Sequence, residues 1–167
     1  MKSFTLIEML ISFVVLAILA GIIIISPNKG ANIYSLKNTS FELISQIDKA
    51  RTFSLSNIKF NNLIFSGGWG INFNINNNFY IIFADINQNK YFDSDEKVET
   101  IYLVDSLSIS ELKVNSLPVN TLDIIFEPPS IDIYINGTQG NKAYVTIKNI
   151  DNDTETVTIN AVGGIDY

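Results

Sequence analysis

Phe4-Thr5-Leu6-Ile7-Glu8-Met9-Leu10-Ile11-Ser12-Phe13-Val14-Val15-Leu16-Ala17-Ile18-Leu19-Ala20-Gly21-Ile22-Ile23-Ile24-Ile25-Ser26 is apolar all the way round a helix, with one ionisable residue, Glu8, inside it. As a helix the stretch is about 34 Å long at roughly 1.5 Å per residue. That is enough for a hydrocarbon core of about 30 Å. A charge at membrane depth costs about 2.5–3.5 kcal/mol on insertion scales and normally has a partner. No other charged residue lies between Lys2 and Lys29, so the partner of Glu8 is expected from another chain. The apolar core starts almost at the first residue, and the small residues Ala17 and Ala20 lie in mid-run. A retained anchor therefore fits better than a cleaved secretory signal. Lys2 is the one charge on the N-terminal side, which orients that end to the cytoplasm. The remaining roughly 140 residues suffice for one external domain with its own core.

Outward from this stretch, Ser26-Pro27 reads as a helix restart, with Ser as N-cap and Pro at the first helical position. Ile33, Leu36, Leu43, Ile44, Ile47 and Ala50 then recur at spacings of three and four, with Ser40 on the same stripe. This predicts an amphipathic helix to about Ser56 with one face for a core. After Asn57 the period changes to two. Ile71-Asn72-Phe73-Asn74-Ile75 and Thr156-Val157-Thr158-Ile159 alternate, while Phe79 to Phe83 and Leu122 to Phe126 are nearly continuous apolar runs. Strands are predicted over 58–66, 69–76, 79–84, 97–104, 107–115, 121–127, 131–136, 142–149 and 154–161. Gly67-Gly68, Asn76-Asn77-Asn78, Pro128-Pro129, Asn136-Gly137 and Asp151-Asn152-Asp153 punctuate them. The predicted fold is α+β: a long N-terminal helix in two halves, packed on an antiparallel head of two sheets or one strongly bent sheet.

Composition narrows the chemistry. There is no Cys and no His, which removes disulfides, imidazole metal sites and a Ser-His-Asp triad. Residues 27–84 hold five basic and two acidic residues, net +3; residues 85–167 hold five and fourteen, net −9. An acidic head repels phosphates, and from Asn136 onward only Lys142 and Lys148 are basic, so nucleic acid is not the expected partner. Asp85, Asp93, Asp95 and Glu96 are clustered carboxylates, but they lie too close along one loop to flank a substrate as glycosidase pairs do. No enzymatic activity is expected.

The same loop has a second reading. Counted from Asp85 as position 1 of a twelve-residue cation loop, oxygen side chains fall at Asp85, Asn87, Asn89, Asp93 and Glu96, with the Tyr91 carbonyl at position 7. Ca²⁺ takes six to eight such oxygens. Position 6, normally glycine, is Lys90. The alternative is an Asn/Asp-rich turn between two strands, satisfied by its own backbone bonds.

Ser3-Phe4-Thr5-Leu6-Ile7-Glu8-Met9-Leu10 resembles the processing site of type IV prepilins and type II secretion pseudopilins, with Ser3 where that family usually has Gly. Gly68-Trp69-Gly70, followed by Phe83-Ala84-Asp85-x-Asn87-x-Asn89-x-x-x-Asp93-x-x-Glu96, is similar to H-type minor pseudopilins and FimT-type minor pilins (the GspH/FimT type). Phe126-Glu127-Pro128-Pro129, Asn136-Gly137 and Gly164-Ile165 fit the C-terminal strands of that type. The resemblance implies cleavage between Ser3 and Phe4 by a prepilin peptidase that also N-methylates the new amine. It implies that Glu8, fifth in the processed chain, pairs with the N-terminal amine of a neighbouring pilin or pseudopilin subunit. The implied organisation is a leader at 1–3, a transmembrane and filament-core helix at 4–26, an amphipathic helix at 27–57 and a β-rich head at 58–167. The implied place is the inner membrane, head outside, and then a pilus or pseudopilus. The alternative function is a membrane-anchored surface binding module, adhesin-like or for DNA uptake.

Overall fold

In the computed structural model, described residues are 5–24, 28–56, 58–60, 66–75, 77–104, 106–130, 132–160 and 164–166, excluding the side chains of 21–24, 28 and 29. Helix α1 spans Leu6–Ile24 and α2 spans Asn28–Leu55. The Ser26-Pro27 restart lies outside the described residues. The expected anchor needs a distinction. Every side chain described in α1 is exposed, from Leu6 at 84 % to Val15 at 49 % among its large apolar residues. Yet among the described residues no helix is long and apolar enough to cross a membrane. The apolar run expected to form the anchor, Phe4 to Ser26, extends past the described side chains at both ends.

After the helices, the described strands all pair antiparallel, as expected. Strands β1 (Trp69–Asn74), β2 (Phe79–Ala84), β3 (Lys97–Tyr102), β6 (Thr121–Glu127), β7 (Asp132–Ile135) and β8 (Thr138–Gln139) form a six-stranded sheet in the order β3-β2-β1-β6-β7-β8. Strands β4 (Ser108–Val114), β5 (Leu117–Pro118), β9 (Ala143–Lys148), β10 (Thr154–Ile159) and β11 (Ile165–Asp166) form a five-stranded sheet in the order β11-β10-β9-β4-β5. Of the two expected forms of the head, two sheets is the one found. The short strands β5, β8 and β11 were not expected. The strand expected over 58–66 lies largely outside the described residues.

One core joins the sheets and the helix. Ile71, Phe73, Ile82, Leu122 and Ile124 from one sheet, Leu112, Val145, Ile147 and Val157 from the other, and Leu36, Leu43, Ile47 and Ala50 from α2 are all buried together. The helical stripe holds with one exception, Ile33, which is 42 % exposed. Ser40 stays buried on that stripe because its Oγ donates back to the Leu36 carbonyl (3.1 Å). Polar contacts pin α2 at its edges: Asn32 to Asp151 (2.8 Å) and Lys49 to Glu99 (2.8 Å).

Ser54 closes the joint between α2 and the central strands. Its buried Oγ accepts from the Trp69 backbone N–H (2.7 Å) and donates to the Phe126 carbonyl. Trp69 and Phe126 face each other across β1 and β6. Ser54→Ala takes this partner from one buried donor and one buried acceptor, and should cost about 2 kcal/mol. Equilibrium unfolding followed by the fluorescence of Trp69, the only tryptophan, checks it. A loss below about 0.5 kcal/mol would show the hydroxyl to be replaceable.

Candidate functional site

Two places carry polar groups that packing does not require. The first is the start of α1. Thr5 donates its backbone N–H and its Oγ1 to the same Glu8 oxygen, Oε2, each at 2.9 Å. Ser12 Oγ donates to the Glu8 carbonyl (2.8 Å). The carboxylate thus accepts from the first turn of its own helix, where a negative charge is favoured by the helix dipole. These bonds give it donors but no counter-charge: no ion pair among the described residues includes Glu8. Ser3 and Phe4, the expected processing pair, lie outside the described residues.

The second place is the loop from Asp85 to Glu96, which leaves β2 and returns into β3 through a short 3-10 turn at Ser94–Glu96. The outer face of the six-stranded sheet holds a small second apolar cluster, Ile81, Phe83 and Ile125, with Phe79, Phe92 and Tyr134 against it. Phe92 lies edge-on to Phe83, with centroids 5.4 Å apart, and Tyr91 Oη donates to the Asn136 carbonyl (3.1 Å). The loop is a strap across that face.

Glu96, Asn87, Asn89 and Asp93 bond to one another and to the loop backbone. Glu96 is buried, and its Oε1 accepts from the N–H of Ile86 (2.8 Å) and Asn87 (3.1 Å). Asn87 Oδ1 accepts from Asn89 N–H (3.0 Å) and Asn89 Oδ1 from Tyr91 N–H (2.8 Å), two successive Asx turns. Both Asn side chains donate to Asp93 Oδ2 at 2.7 Å. Asp85 is fully buried and faces Lys90. So Asp85, Asn87, Asn89, Tyr91, Asp93 and Glu96 share one loop, and the side chains of Asn87, Asn89 and Asp93 meet at Asp93 Oδ2. Among the described residues no group of three or more His, Cys, Asp or Glu side chains is placed to hold a metal ion. The hydrogen bonds within the loop are those of an Asn/Asp-rich turn, and one buried carboxylate oxygen, Asp85 Oδ1, has no partner among the described residues.

Burial sets the acidity here. Removal from water pushes the carboxyl of Asp85 above the usual carboxylate range, with Lys90 pulling it back. Burial likewise raises Glu96, opposed by the N–H groups of Asn87 and Ile86. It raises Asp123 on β6, opposed by the Asn72 side chain, which donates to it at 2.7 Å. Lys90 and Asp123 are residues whose part in the site the sequence did not announce. The one legible signal was a lysine standing in the glycine position of the loop.

The comparisons with known proteins bear on the first place. The family model described as the prokaryotic N-terminal methylation motif matches residues 1–24. No curated protein and no solved structure matches the chain. The motif marks a type IV pilin-like or pseudopilin-like precursor, a class that is membrane-anchored, processed by a prepilin peptidase and assembled with other pilins. The α+β fold, an N-terminal helix followed by antiparallel sheets, agrees with a pilin-like architecture.

Proposed function

We propose that this chain is a non-enzymatic structural subunit, a minor pilin or pseudopilin of a type II secretion pseudopilus or a type IV pilus. It is cut before Phe4, held in the inner membrane by its apolar helix, and drawn into the filament core through that helix. Glu8 selects the docking position by pairing with the amine of a neighbour. The observation that carries this reading is the methylation motif over residues 1–24, with Glu8 alone in an apolar helix exposed on every side. A helix apolar all round belongs in lipid or among other helices.

The test is the intact mass and N-terminal sequence of the protein recovered from membranes that contain a prepilin peptidase. A chain beginning at methylated Phe4 is the expected result. A chain beginning at Met1 in the presence of active peptidase overturns the reading and favours a simple anchored binding module.

A further inference from the structure

Lys90 has the backbone of the glycine it replaces, with φ at 67°, a conformation that side chains rarely adopt. Its ammonium reaches four segments of the head. Nζ lies 2.9 Å from Glu127 Oε1 at the end of β6, 3.4 Å from Asp85 Oδ2 at the exit of β2, and 3.3 Å from the Gly67 carbonyl before β1. It also stands 5.1 Å from the centroid of the Tyr134 ring on β7, within range of a cation–π attraction. The Lys90 backbone N–H adds a further contact to Asp85 Oδ2 (3.3 Å). The other oxygen of Asp85, Oδ1, is buried and has no hydrogen-bond partner among the described residues. A buried carboxylate without a compensating charge is strongly unfavourable.

We propose that Lys90 is the built-in cation of this loop. Its ammonium neutralises the buried Asp85 and ties the strap at 85–96 to β6 and β7, the work a bound metal ion would do in a loop of this pattern. The head therefore needs no divalent cation there. The remaining carboxylates are consistent with this: Glu96 accepts from backbone N–H groups and Asp93 from two side-chain amides. The charge of buried Asp85 is balanced by a side chain, so the strap stays closed whatever the calcium concentration around it. The proposal stands apart from the filament reading and fails or holds independently of it.

Thermal unfolding of the full chain in detergent micelles tests it, followed by the fluorescence of Trp69. The midpoint of the unaltered protein should be the same in excess calcium and in chelator. Lys90→Met should lower the midpoint by roughly 5–10 °C. Adding Asp85→Asn to Lys90→Met should recover at least about half of that loss, because the uncompensated charge goes with it. Should Lys90→Met alone fail to fold, the same double variant and the charge-keeping Lys90→Arg should both fold. A midpoint of the unaltered protein that rises in calcium overturns the proposal. So does a Lys90→Met midpoint equal to the original, or a double variant with no recovery, which would assign the loss to packing of the lysine stem.

Discussion

A Glu8→Leu chain is expected to remain in the membrane and to drop out of filaments. Leucine at this depth favours insertion by about 0.3–0.6 kcal/mol, whereas a charge opposes it by several times as much. Membrane retention should therefore hold or improve. What is lost is the negative charge. In the single chain the Glu8 carboxylate accepts from Thr5 alone among the described residues, so it keeps an unused attraction for a cation. On the filament-subunit reading that cation is the amine of a neighbour. A pairing worth about 1.4 kcal/mol or more corresponds to a tenfold or larger fall in incorporation. The readout is the ratio of subunit in sheared filaments to subunit in membranes. Incorporation at the original level would remove Glu8 from the assembly mechanism, while leaving processing before Phe4 open to its own test.

The second large effect is expected at Gly68, where the chain enters β1. Its φ is 92°, and an added Cβ would overlap the Phe126 carbonyl and press on Glu127. Gly68→Ala meets two penalties. The left-handed backbone costs a side chain about 1–2 kcal/mol, and the overlap forces β6 away from β1 at a further cost of about 1–3 kcal/mol. A loss of about 2–5 kcal/mol is a large part of a typical domain's stability of roughly 5–15 kcal/mol. Gly140→Ala is the control. Its φ is 85°, but nothing lies within 4 Å of the added carbon. It should lose only the backbone part, about 1–2 kcal/mol. Denaturant midpoints for the two variants separate strain from overlap; equal losses would show that β6 yields without cost.

The helices and the main strands were legible because each is written in a local period. α1 is continuous apolar sequence, and the three-and-four stripe of α2 matches the burial of Leu36, Leu43, Ile47 and Ala50. Period-two runs such as Ile71 to Ile75 put alternate residues into the core, as β1 does with Ile71 and Phe73. The short strands were not legible: β5, β8 and β11 have two residues each, too few to show a period. Their existence depends on the ladder beside them. Ile33 left the predicted face for a similar reason, since a stripe specifies an angle around the helix but not where the sheets end.

The sequence by itself determined the two-part helix, the antiparallel head and the carboxylate set in an apolar run, because these follow from local periodicity and from the expense of an isolated charge in hydrocarbon. The surroundings of the loop at 85–96 were set only in three dimensions. Read along the chain, its oxygens match a cation loop with one faulty position. Folded, Glu127 lies beside Lys90 although the two are far apart in sequence, and Gly67 and Tyr134 are brought to the same ammonium. Whether a buried carboxylate needs a metal ion depends on which charges the fold places around it. Such neighbours are set by strand order, and no local pattern records them.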